Sequence, residues 1–195
     1  MWLYIILDYY FYSMSKVTDE EILAEWDVEA TREVAFRKLI NKYQERLYWH
    51  IRRMVHFHED ADDVVQNTFI KVWKNLDKFK RQSKLYTWLY RIATNESLTF
   101  IQKRKRKGTV ALETDEYDLG AELTADVYFE GDEIQIKLQE AIDTLPDKQK
   151  VVFNLRYYDE MKYDEMSEVL ETSVGALKAS YHHAVKKIEK YLTTD

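Results

Sequence analysis

Apolar residues recur every three or four positions along most of this chain, a spacing that predicts helices rather than strands. From about Thr31 to Phe57 the series Phe36, Leu39, Ile40, Tyr43, Leu47, Ile51, Met54 and Val55 traces one buried stripe. A second helix is expected from about Asp60 to Leu76, with Ala61, Val64, Val65, Phe69, Val72, Trp73 and Leu76 inward. Asp60, Asp62 and Asp63 crowd its first turn, where the helix dipole favours anions. After a polar bend from Asp77 to Lys84, a third helix carries Leu85, Trp88, Leu89, Ile92 and Ala93 and runs into Lys103–Lys107, with Gly108 as its stop. The first module therefore reads as three helices.

Periodicity is lost over residues 108–133 and then returns. Ile134 to Thr144 is one helix, and Leu145-Pro146-Asp147 makes a break in which Pro146 suits the first turn of the next. That helix carries Val151, Val152, Leu155 and Tyr158. Tyr163 to Leu170, the joint Glu171-Thr172-Ser173 and a last helix from Val174 to about Leu192 have helix-turn-helix patterning, with Ser173 as N-cap. The fold class expected is all-α, two small helical domains on a connecting linker. Four Gly and one Pro in 195 residues agree with long helices and short connections.

Charge divides the chain in the same places. The whole carries −6, which taken alone argues against a nucleic-acid partner. Residues 14–107, however, hold 20 Lys/Arg against 14 Asp/Glu, whereas residues 108–133 hold nine acids and no base. Residues 134–195 are near neutral, with nine bases and eleven acids. A basic module is thus joined to a near-neutral one by an acidic linker, flexible at least in isolation. Cysteine is absent, which excludes disulfides and thiolate metal sites and fits a reducing, cytoplasmic setting. Met1 to Phe11 is apolar but interrupted by Asp8, and falls far short of the ~20 residues that cross a bilayer. It also lacks the leading positive charge and cleavage site of a signal peptide. Residues 1–13 are read as an extension outside the native protein, with Met14 as the start.

Two stretches carry the resemblance that orders these observations. Asp60-Ala61-Asp62-Asp63-Val64-Val65-Gln66-Asn67-Thr68-Phe69, then Trp73, then Thr87-Trp88-Leu89-Tyr90-Arg91-Ile92-Ala93-Thr94-Asn95 resemble region 2 of extracytoplasmic-function (ECF) sigma factors. Leu145-Pro146-Asp147-Lys148-Gln149 and Ser173-Val174-Gly175-Ala176-Leu177-Lys178-Ala179-Ser180 resemble their region 4. The likeness spans roughly residues 32–107 and 134–192 in the expected order. It implies a transcription initiation factor that binds RNA polymerase core, recognises and melts a −10 element with residues 14–107, and binds a −35 element with residues 134–195.

Each expected site combines the residues with that resemblance. Asp60, Asp63, Gln66 and Asn67 fall along one helical stripe, which by resemblance docks on the polymerase clamp; Asn67 stands where the family usually has an acid. Phe79, Lys80, Ser83, Tyr86, Trp88, Arg91 and Asn95 mix bases, amides and aromatics. Cations hold phosphates and aromatic pockets take unstacked bases, so this is the expected −10 single-strand site, with Trp88 equally readable as core. Lys103, Arg104, Lys105, Arg106 and Lys107 would sit on duplex backbone, adding affinity and salt dependence rather than specificity. At the −35 helix, Lys178 is the leading base reader, with Ser173, Ser180, His182 and His183 near backbone or groove. The Arg that several family members carry around Ser180, His183 and Val185 is missing, and Glu171 stands where Gly is frequent.

Other functions fit less of the chain. His56, His58, Glu59 and Asp60 form one short cluster, too little for a metal site, and no phosphate loop or nucleophile motif occurs. No catalytic residue, metal, cofactor or small-molecule substrate is expected, and no enzymatic activity. A stand-alone dimeric helix-turn-helix regulator would explain residues 134–192 but leave the first module without work. The resemblance further implies an anti-sigma factor partner, commonly membrane-bound.

Overall fold

A computed structural model describes residues 17–110 and 133–194. Residues 1–16, most of the acidic linker and Asp195 lie outside them, and with them the readings of the N-terminal extension. Eight α-helices are present among the described residues: α1 (Asp19–Trp26), α2 (Arg32–Val55), α3 (His58–Asn75), α4 (Leu85–Val110), α5 (Glu133–Asp143), α6 (Asp147–Tyr157), α7 (Tyr163–Leu170) and α8 (Val174–Leu192). No strand occurs among them. None of these helices is long and apolar enough to cross a membrane. The chain divides into two compact units at Glu96/Ser97, within α4.

In the first unit α2 packs against both α3 and α1, and Trp26 of α1 also meets Trp73 of α3. Its buried positions are Ala35, Leu39, Tyr43, Leu47, His50, Ile51, Met54 and Val55, the stripe expected except that Phe36 and Ile40 are half-buried. His56, at φ 71°, ends it. From α3 come Ala61, Val64, Thr68, Phe69 and Val72, and from α4 come Leu85, Leu89, Tyr90 and Ala93. Deep in this core His50 Nε2 and Thr94 Oγ1 are hydrogen-bonded at 2.9 Å, fixing the register of α2 on α4. Losing the Thr94 hydroxyl leaves His50 Nε2 without this bond in the core, at a cost of about 1–3 kcal/mol.

Three expectations need correction. The first module holds four helices, not three, because α1 precedes the expected set. It is short, and a capping box starts it: Glu21 N–H donates to Thr18 Oγ1 at 3.1 Å, and Thr18 N–H to Glu21 Oε2 at 3.0 Å. Ile22, Leu23 and Trp26 bury its inner face. Trp73 is not inward. It is 40% exposed, its ring edge-on to Trp26 and to Phe36 at 5.0 and 4.9 Å between centroids. Finally, α4 continues past Gly108 to Val110, since one glycine costs a helix only about 1 kcal/mol and need not end it.

In the second unit α8 packs on α5, α6 and α7. Ala141, Ile142, Leu145, Phe153, Ala184 and Ile188 make its core, with Leu138, Tyr158, Tyr181 and Val185 against them. Pro146 caps α6 from one residue outside. Between α7 and α8 the chain reverses through Glu171, whose φ of 50° and ψ of 40° are left-handed. This is the conformation glycine adopts without cost.

Candidate nucleic-acid and partner-docking faces

Along α3, Asp63, Gln66 and Asn67 are exposed and Asp60 is half-buried. One turn beyond Gln66 and Asn67 the same face presents Ile70, 50% exposed. It adds one apolar side chain to an otherwise polar, solvent-facing stripe. Ile70 was not among the expected residues. Its signal was the i, i+3, i+7 continuation from Asp63. The neighbouring histidines are engaged within the fold: His58 Nδ1 lies 2.6 Å from Tyr48 Oη, and its Nε2 3.5 Å from Asp62 Oδ2. No group of three or more His, Asp or Glu suited to a metal occurs among the described residues.

The bend between α3 and α4 opens with a 3₁₀ turn, Leu76–Lys78. Phe79 lies against Trp88, ring centroids 5.3 Å apart and planes 42° from parallel. Both rings are half-buried, so Trp88 is neither a core residue nor a free one. Its ring packs on that of Phe79 and stays partly open to solvent. Lys84 Nζ stands 5.6 Å from the Tyr86 ring centroid, and Tyr86 is edge-on to buried Tyr90. Lys80, Arg81 and Gln82 project outward and Ser83 is half-buried. Arg91 is half-buried and Asn95 exposed one turn later on α4. The bend therefore sets the tilted Phe79–Trp88 pair close in the chain to Lys80, Ser83 and Tyr86, with Arg91 and Asn95 further along α4. Such a surface suits an unpaired base with its phosphates.

Two hydrogen bonds between residues outside the expected set complete the bend. Trp26 Nε1–H donates to Asp77 Oδ1 at 2.9 Å, and Arg81 donates to Asp27 Oδ2 at 2.6 Å. Both tie it to α1.

Further along α4, Lys103, Arg104, Lys105 and Arg106 are exposed; the Lys107 side chain lies outside the described set. Within the second unit Lys105 Nζ donates to both carboxylate oxygens of Asp147 at 2.8 Å.

On α8, Ser173 Oγ accepts from Ala176 N–H at 3.4 Å, the expected N-cap. Lys178, His182 and His183 are exposed and Ser180 is half-buried. Lys178 does not extend alone: its ammonium lies 5.7 Å from the Tyr163 ring centroid, and Arg156 Cζ lies 5.3 Å from the same ring. Arg156, from the end of α6, also donates to Met161 O at 3.1 Å. A cation–π cradle thus gathers two bases at the start of α8. Sequence reasoning had named only Lys178. Behind the helix Tyr181 stacks on Phe153, and burial pushes its phenol above the ordinary tyrosine range.

Comparison with known proteins joins these faces. Residues 39–107 match sigma-70 region 2, and residues 135–188 match sigma-70 region 4. Over 166 residues the chain is 32% identical to the ECF RNA polymerase sigma factor SigW of Bacillus subtilis, covering 81% of this chain and 89% of that one. It is 31% identical to the RNA polymerase sigma-H factor of Pseudomonas aeruginosa, covering 81% and 86%. Among solved structures it is similar to the sigma factor RpoE of Bartonella quintana, seen with the anti-sigma factor NepR (TM-score 0.66, 20% identity, 82% of this chain and 98% of that one). It is also similar to CnrH, seen with the cytosolic domain of CnrY (TM-score 0.67, 22% identity, 91% and 98%). At these identities the structural likeness shows the fold.

Proposed function

The chain belongs to the sigma-70 family as an ECF sigma factor, a transcription initiation factor that binds RNA polymerase and directs it to promoters, and we propose how its residues divide that work. Residues 14–107 act as the core-binding and −10 module, and residues 134–195 as the −35 module. On α3, Asp63, Gln66, Asn67 and Ile70 form the polymerase-docking face, with Asp60 at its edge. At the bend, Phe79 and Trp88 receive a base displaced from the duplex. Lys80, Ser83 and Tyr86 line its path, and Arg91 and Asn95 follow the same strand. The Lys103–Lys107 run holds duplex phosphates. On α8, Lys178 and the neighbouring Arg156 reach the −35 major groove, while Ser173, Ser180, His182 and His183 take backbone or groove positions.

The observation that carries this reading is the pair of matches to regions 2 and 4 in one chain and in that order. A stand-alone dimeric regulator is not favoured, because it leaves the whole region 2 module unused. The chain itself performs no catalysis in this reading; phosphodiester formation belongs to the polymerase. It acts in the cytoplasm, where promoter DNA and polymerase are, and is held in check by an anti-sigma factor that covers its DNA-binding faces. The exposed polar and cationic stripes on both modules are surfaces such a cover would occupy. The test is gel retention of a promoter duplex at physiological salt by chain alone and by chain with core polymerase. Site-specific retention only with core is expected; a site-specific complex with the free chain overturns the reading.

A further inference from the structure

The bend that carries the Phe79–Trp88 ring pair is fastened by an element that lies ahead of the matched region 2. Trp26, in the last turn of α1, is 3% exposed, and its indole N–H finds its acceptor in Asp77 Oδ1. The Arg32 guanidinium donates to the same oxygen at 3.1 Å. Four residues along the bend, Arg81 donates to Asp27 Oδ2 at 2.6 Å and points at Leu23 O at 3.5 Å. Asp27 is itself the C-cap of α1, its N–H turned back to the Leu23 and Glu25 carbonyls. The last turn of α1 therefore holds the bend at two points, Asp77 and Arg81, on either side of Phe79.

The second point is where the backbone needs holding. Arg81 has a φ of 56°, a left-handed conformation that a side-chain-bearing residue adopts only when its surroundings impose it. No glycine supplies that turn; residues 77–84 contain none. An exposed ion pair is individually weak, and the Arg81 and Asp27 side chains are 51% and 56% exposed. Without it, what remains of the Arg81 tie to α1 is the 3.5 Å contact to Leu23 O, which holds the positive φ less firmly.

We propose that the last turn of α1 is a latch, in which Asp27 through Arg81, and Trp26 with Arg32 through Asp77, are positioning residues that hold the bend in the shape that receives the displaced base. This rests on the reading of the bend as the −10 single-strand site. None of the latch residues needs to touch DNA. Their effect is to remove a rearrangement that strand capture otherwise has to drive.

The experiment uses holoenzyme assembled from the full chain and bacterial core polymerase. The probe is the fluorescent single strand that wild-type holoenzyme retains best from a random pool. D27N, D27E, R81G, D27N/R81G and F79A are compared for strand affinity, with affinity for core as the control of folding. D27N is expected to bind the strand up to about five-fold more weakly, the most an exposed ion pair supplies, with core affinity unchanged, while D27E keeps wild-type strand affinity. D27N/R81G is expected to recover most of the loss, because glycine adopts φ 56° without the latch. D27N at wild-type affinity or tighter overturns the latch, as does a double variant no better than D27N. Loss in F79A beside an unchanged D27N refutes the latch while leaving the bend as the strand site. An unchanged F79A refutes the bend's role, and the latch with it.

Discussion

Lys103 and Arg106 stand exposed at the end of α4, and their contribution to promoter binding can be worked out before it is measured. Every cation that stops neutralising a phosphate lowers the slope of log affinity against log salt by about 0.9 for duplex DNA, so K103Q/R106Q should lower it by about 1.8. Between 50 and 200 mM salt the variant's affinity should then fall roughly 12-fold less than the wild type's. Sequence preference should not change, because phosphate binding carries no base information. Lys105 is a graded case. It already holds Asp147, so on binding it exchanges one anion for another. K105Q should change the slope by less than either neighbour, and D147N should raise affinity by releasing that ammonium. The assay is equilibrium binding of holoenzyme to a promoter duplex across that salt range. A slope unchanged in K103Q/R106Q would refute the assignment of this run to the DNA backbone. So would an altered promoter preference.

Three further outcomes follow from the geometry. I70E puts a charge in the middle of the α3 docking face, and should weaken core polymerase binding at least ten-fold in a fluorescence competition assay while leaving thermal unfolding unchanged. K178A should relax base preference at one −35 position, a loss of about 1–3 kcal/mol of discrimination measurable by binding to a set of singly substituted duplexes. Tyr43 gives a stability prediction. Burial, then its hydrogen bond to Asp19 at 2.6 Å, raises its phenol well above the ordinary tyrosine range. The folded state therefore favours the neutral phenol. That contribution is fully present below the unfolded value of about 10 and is lost as pH rises from there toward the folded value, by about 1.4 kcal/mol per unit. Chemical denaturation between pH 9 and 11 should show this slope reduced in Y43F. An equal slope would mean that Tyr43 ionises alike in both states.

What the sequence disclosed and what it hid differ in the range of the interactions. Helices α2, α3 and α5 to α8 were legible because each writes a long apolar stripe or a local cap, as Ser173 does for α8. Helix α1 was missed because eight residues offer only Ile22, Leu23 and Trp26 as a stripe. Its real signature was the Thr18-x-x-Glu21 capping box. Trp73 was placed inward by spacing, yet neighbouring Trp26 and Phe36 take its ring at the rim of the core. At the bend, the sequence showed which aromatic, amide and basic residues stand from Phe79 to Asn95. The Asp27–Arg81 and Trp26–Asp77 bonds were not, since they join residues more than fifty positions apart. Arg156 was hidden although it is nearer in sequence, because it has no helical register with Lys178 and meets it only across the ring of Tyr163.

The most direct test of the central claim is run-off transcription from a genomic promoter library by bacterial core polymerase, with and without the chain. New start sites that appear only with the chain and share paired −10 and −35 motifs are the predicted result. No stimulation by a folded, core-binding chain would contradict it.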